Sequence, residues 1–76
     1  MTAYTLRERV SPTDTLDIGG VVDNSVPRVG ERLSIRNLSG VSRDYHVVKV
    51  DRCISEERSG VFECKHIVVE VKSSEE

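Results

Sequence analysis

The sequence predicts an all-β protein: a small, mainly antiparallel sheet of about five strands, curled into a partly open barrel. Three segments with the apolar patterning of strands carry this prediction, at residues 32–36, 45–54 and 61–71. A Pro-Arg-Val-Gly-Glu turn at residues 27–31 leads into the first of them. Pro27 belongs before a strand because it cannot donate to a hydrogen-bond ladder.

The first quarter of the chain predicts an edge strand followed by a turn. Residues 4–10 alternate apolar and polar side chains, with Glu8 as the one break. Residues 11–14 have the form of a helix start, so one short helical turn near residues 12–17 is an alternative. A turn into a strand at residues 16–18 is favoured, because Thr and Asp are poor helix formers. Residues 21–22 add a short strand.

The later strands alternate more regularly. Residues 37–44 form a loop, and its two apolar side chains, Leu38 and Val41, either pin it to the core or belong to a contact surface. The last two strands form a hairpin around residues 56–60. A bulge near Lys65 or His66 would bring Phe62 and Cys64 onto the face of Ile67. We expect one domain over residues 1–72 and a solvated tail over residues 73–76.

Size and composition argue against an enzyme. A chain of 76 residues buries only about 60% of its unfolded surface, which leaves little room for a substrate pocket. We therefore expect no catalytic residue and no cofactor. The sequence has no apolar run long enough to span a membrane and no visible secretory signal, and two cysteines then suggest a reducing, cytoplasmic setting.

Cysteine and histidine side chains are the candidates for metal binding or nucleophilic chemistry. Cys64 and His66 share a strand, and Cys53 lies on the neighbouring one. These three residues are candidate zinc ligands, but their spacing lacks the paired cysteines usual in structural zinc sites. We expect instead two buried or half-buried free thiols. A cross-strand disulfide is geometrically possible and is disfavoured in a reducing compartment.

Binding of another macromolecule remains as the expected function. The favoured interpretation is a protein partner or a homo-oligomer formed through edge strands. The alternative is single-stranded nucleic acid, bound by a basic stripe over residues 32–52 with Tyr45 for stacking. The candidate binding residues, which serve one or the other interpretation, are Arg32, Arg36, Leu38, Val41, Arg43 and Tyr45. The wider stripe would add Lys49 and Arg52.

Three sequence motifs carry a resemblance. They are Val-Pro-Arg-Val-Gly-Glu at residues 26–31, Tyr-His-Val-Val-Lys-Val at residues 45–50 and His-Ile-Val-Val-Glu-Val at residues 66–71. The chain resembles small uncharacterised bacterial and phage-encoded proteins that share a Pro-x-Val-Gly-Glu turn, a Tyr-x-Val-x-x-Val strand and a valine-rich last strand. The resemblance implies a compact SH3-like barrel and a mobile-element origin. It carries over no catalytic or binding residue. A phage-type accessory or inhibitor role, or a structural role in a homo-oligomer, fits the protein-binding interpretation.

Overall fold

The computed structural model of the protein describes residues 2–74, which form five strands and no helix. The strands are β1 (Thr2–Arg9), β2 (Thr15–Asp23), β3 (Arg32–Arg36), β4 (Ser42–Arg58) and β5 (Val61–Ser73). They form one sheet in the order β2-β1-β5-β4-β3, in which only β1 and β5 run parallel. The sheet curls into a half-barrel, so the predicted fold class is confirmed.

Several features of the strands differ from the prediction, and β4 also extends to Arg58 rather than ending at Ile54. β1 is not an edge strand, because β2 pairs with one side of it and β5 with the other. β2 runs without interruption through Gly19 and Gly20, which pair with Leu6 and Thr5 of β1. The loop predicted over residues 37–44 is shorter, since β4 begins at Ser42.

The connection between β1 and β2 is a turn held by Ser11. The Ser11 hydroxyl accepts a hydrogen bond from the Asp14 amide at 3.0 Å. The Asp14 carbonyl in turn accepts one from the Val10 amide at 3.1 Å. The serine that suggested a helix cap therefore closes a hairpin, and the short helical turn is not formed.

The core lies on the concave side of the sheet, which we call the inner face. β5 supplies Ile67, Val69 and Val71, because it is the central strand and covered on both sides. The remaining buried apolar residues come from β1 and β4: Tyr4, Leu6, Tyr45 and Val47. Glu8 also shares this face, and its carboxylate accepts a hydrogen bond from the Tyr45 hydroxyl at 3.4 Å. That bond accounts for the one break in the alternation of β1.

Three bulges interrupt the pairing of β4 with β5, at Val48, Glu57 and Lys65. The bulge at Lys65 confirms the predicted one. Arg52 pairs with Ile67, and Ile54 pairs with Cys64, so the extra residue on β5 restores the inner-face alternation.

Residues 52–67 extend beyond the rest of the sheet, and we call this segment the arm. β3 pairs with β4 only over residues 42–46, and β1 pairs with β5 only over residues 68–71. The arm is therefore a two-stranded ribbon. It contributes to the elongated shape of the molecule, with principal extents of 47 × 28 × 19 Å.

The sheet continues past the domain boundary predicted at residue 72. β5 ends at Ser73, and the Ser74 amide donates a hydrogen bond to the Asp44 carbonyl at 3.0 Å. The Ser74 hydroxyl also lies 3.2 Å from Nδ1 of His46. Residues 75 and 76, the remainder of the predicted tail, lie outside the described residues.

Candidate binding surfaces

The inner face of the arm is an exposed apolar stripe. Cross-strand pairing sets three rows along it: Arg52 with Ile67, which still belongs to the buried core, Ile54 with Cys64, and Glu56 with Phe62. Ile54 is 59% exposed and Phe62 63% exposed, although both continue the face that forms the core elsewhere. The apolar face of the sheet therefore continues beyond the core and is exposed to solvent along the arm.

The opposite, outer face of the arm is mainly polar, with Val61 near the tip as an exposed apolar residue. The Lys65 ammonium lies 2.6 Å from a Glu57 carboxylate oxygen and 3.6 Å from one of Glu63. Cys53 and His66 pair on this face, on the side away from Ile54. The arm is thus amphipathic, with its apolar side continuous with the protein core.

The tip of the arm is a tight turn. Gly60 has a φ of 78°, a left-handed conformation that suits glycine. Its amide donates a hydrogen bond to the Glu56 carboxylate at 2.9 Å. This bond keeps Glu56 close to Phe62, at the end of the stripe.

A second surface lies where the half-barrel opens between β2 and β3. A cleft of about 220 Å³ is lined by residues from both edges of the sheet: Ile18, Ile35, Asn37, Val41, Arg43 and Tyr45. Three of the predicted binding residues, Val41, Arg43 and Tyr45, therefore come together here. Tyr45 belongs mainly to the core, so its ring is not free for stacking.

The loop of residues 37–41 is held by Asn37. Its side-chain oxygen accepts hydrogen bonds from the amides of Ser39 and Val41, each at 3.0 Å. Leu38 is fully exposed and Val41 is 52% exposed, so neither residue pins the loop to the core. The other interpretation, a contact surface, stays a prediction.

The predicted basic stripe is divided between the two faces of the sheet. Arg43 pairs with Ile35 and Arg52 with Ile67, which places both arginines on the inner face. On β3, Arg32 and Arg36 alternate with the half-buried Leu33 and Ile35 and therefore lie on the outer face. Lys49 pairs with Glu70 and joins them there.

A different basic row crosses the outer face. Arg32 pairs with His46, and His46 pairs with Lys72 on the next strand. Lys72 and Arg9 line the same small cleft. Within residues 2–74, neither Arg32 nor Lys72 has an ion-pair partner, whereas Arg9 lies 2.7 Å from Glu70. That hydrogen bond to Glu70 raises the pKa of Arg9.

The candidate metal ligands are not arranged as a site. Cys53 and Cys64 are free thiols on opposite faces of the arm, and the expectation that they are buried is wrong because the arm is exposed on both sides. Cys64 lies opposite Ile54 rather than Cys53, since Lys65 is bulged. No group of three His, Cys, Asp or Glu side chains in residues 2–74 could hold a metal ion.

Ile54 and Phe62 were not among the predicted binding residues. Their alternation with polar neighbours is the same as that of core residues, so the sequence pattern assigned Ile54 to a core face. The available signal was the unequal length of the strands, because a hairpin longer than its neighbours leaves its end uncovered.

Comparison of the chain with protein-family models, curated proteins and solved structures found no match. Among the described residues, no helix has the length and apolar character needed to cross a membrane.

Proposed function

We propose that this protein is a non-enzymatic binding module that contacts another protein through the inner face of the arm. One observation carries the proposal: the apolar stripe of Ile54, Cys64 and Phe62 continues the core face but is exposed. Burial of a Phe or Ile side chain contributes about 1.5–3 kcal/mol, so a partner that covers both gains substantial free energy.

The construction of the arm supports this proposal. A two-stranded ribbon is marginally stable in water unless its apolar face packs against something else. The outer face of the arm already satisfies its charges internally through Lys65. The inner face has the larger and more exposed apolar side chains, Ile54 and Phe62, whereas the outer face has Val61, so the inner face is the side on which a partner adds more stability.

The non-enzymatic part of the proposal is supported by the size of the chain, because 76 residues leave little buried volume for a substrate pocket. An accessory or inhibitor protein of the phage type fits a module of this kind. A structural component of a homo-oligomer fits it as well.

Site-specific photo-crosslinking tests the proposal. A photoreactive phenylalanine analogue in place of Phe62 should give covalent protein adducts in the native host cell. The same analogue in place of Glu63, the next residue on the outer face, is the matched control and should give few. Equal adducts at both positions, or none at position 62, would exclude the arm as a protein-binding surface.

The outer basic row supports nucleic-acid binding as a second candidate function. Arg32, His46 and Lys72 lie side by side across three strands, about 5 Å apart from strand to strand. If phosphates bind there, affinity for a single-stranded oligonucleotide should fall steeply as salt rises. Arg32→Glu with Lys72→Glu should abolish this binding, and unchanged binding in that variant would exclude the row.

A further inference from the structure

Resting on the proposed function, we infer that the partner covering the inner face of the arm is a second copy of this chain. The two arms pack face to face and antiparallel, across a two-fold axis that passes by the Ile54–Cys64 pair. The inference follows from the order of side chains along the stripe.

The stripe is self-complementary about its central row. The two-fold axis lies in the plane between the two arms and crosses the strands at right angles. It places β4 of one copy over β4 of the other, and the two strands run in opposite directions. The Ile54–Cys64 row then faces its own copy. The Arg52–Ile67 row faces the Glu56–Phe62 row of the second copy, and the reverse contact is made at the other end.

Each contact in this arrangement joins side chains of matching chemistry. Arg52 meets Glu56 of the second copy and Ile54 meets Ile54, while Phe62 lies against the edge of the second copy's core at Ile67, which is itself 9% exposed. Two such sheets pack about 10 Å apart, with interdigitated side chains. Both cross-copy charge pairs lie at the ends of the stripe, where opposite charges favour the correct register.

The other two-fold arrangement is less favourable. An axis parallel to the strands would place β4 over β5, so that Arg52 faces Ile67 and Glu56 faces Phe62. Each buried charge would then lie against an apolar side chain without an opposite charge, which is costly. The antiparallel arrangement is therefore the one that the order of residues supports.

The two cysteines provide matched probes, because they lie on opposite faces of the arm. In the Cys53→Ser variant, a short bismaleimide should join two chains through Cys64. In the Cys64→Ser variant, the remaining Cys53 faces away from the second copy and should give little crosslinked dimer. Equal crosslinking of the two variants, or none in Cys53→Ser, would overturn the inference.

Charge reversal tests the register. Arg52→Glu places two acids together at each end, and we expect the dimer dissociation constant to rise about tenfold or more. Arg52→Glu combined with Glu56→Arg restores opposite charges and should return it to within about threefold of the original. Glu63→Arg, a charge reversal on the outer face, is the control and should leave dimerisation unchanged.

Sedimentation equilibrium measures these constants, and circular dichroism shows that each variant is folded. A double variant as weak as Arg52→Glu alone, or an original chain that is monomeric at high micromolar concentration, would overturn the inference. The photo-crosslink at position 62 separates this failure from failure of the proposed function. Adducts with a different protein, formed by a monomeric chain, would reject the dimer and retain the binding module.

Discussion

Val69 is fully buried at the centre of β5, between β1 and β4. Val69→Ala removes two methyl groups at about 0.8 kcal/mol each and leaves a cavity, so we expect a loss of about 2–3 kcal/mol in the free energy of unfolding. Val22, on β2, is 66% exposed. Val22→Ala should change stability by less than about 0.5 kcal/mol. Urea denaturation measures both, and equal losses would contradict the core described above.

Tyr4 makes stability depend on alkaline pH. Burial raises the pKa of its phenol above the ordinary value of 10.0, and the carboxylates of Asp23 and Glu31 raise it further. Above pH 10 the unfolded chain therefore loses this proton while the folded protein keeps it. The unfolded state then binds fewer protons, so stability is complete below pH 10 and falls as pH rises.

The Tyr4→Phe variant isolates this contribution. Urea denaturation between pH 9 and pH 11 should give a stability curve that declines less steeply for Tyr4→Phe than for the original chain. Identical slopes for the two proteins would show that Tyr4 does not carry the alkaline dependence.

At the scale of elements, alternation predicted β1, β3 and β5 well because each has a buried face. β2 was predicted as two pieces, since Gly19 and Gly20 have low strand propensity. Pairing with β1 overrides that propensity. The start of β4 was missed because Ser42 and Arg43 are polar, and pairing with β3 brings them into the sheet.

The candidate site was less predictable than the strands. The role of Leu38 and Val41 as contact residues stays a prediction, whereas the bulge at Lys65 was predicted from a parity conflict and is confirmed. The arm was not predicted, because alternation shows which side of the sheet a residue faces and not whether another strand covers it. Whether Ile54 is core or surface depends on where β1 and β3 end.

Removal of the arm tests its independence from the core. Arg52 and Ile67 are paired, so Asn-Gly can replace residues 53–66 as a hairpin turn. None of the buried core residues lies in the replaced segment. We expect the shortened protein to fold, with a cooperative urea transition and strand-type circular dichroism, and to be monomeric in sedimentation. A shortened chain that does not fold would show that the arm belongs to the folding unit.

At the scale of the whole molecule, the two ends of the chain meet in the middle of the sheet. β1 pairs in parallel with β5, so Thr5 lies beside Val68. Pairing of residues so far apart in the sequence costs loop-closure entropy before the contacts contribute stabilising free energy, so folding is slow. We expect refolding in milliseconds to seconds by stopped-flow fluorescence of the tyrosines, and microsecond refolding would contradict this topology.

The bulge at Lys65 has a consequence for changes in chain length. Phe62 and Ile67 are five positions apart, an odd spacing that strict alternation would divide between the two sides of a strand. Because of the extra residue, β5 has one position more than β4 between these two pairs. A single deletion between them gives four positions, which matches the four from Arg52 to Glu56 on β4, so the bulge is lost and both residues stay on one side. A single insertion gives six positions against those four, which leaves two residues of β5 without a partner on β4. Related chains should therefore tolerate losing a residue here more readily than gaining one.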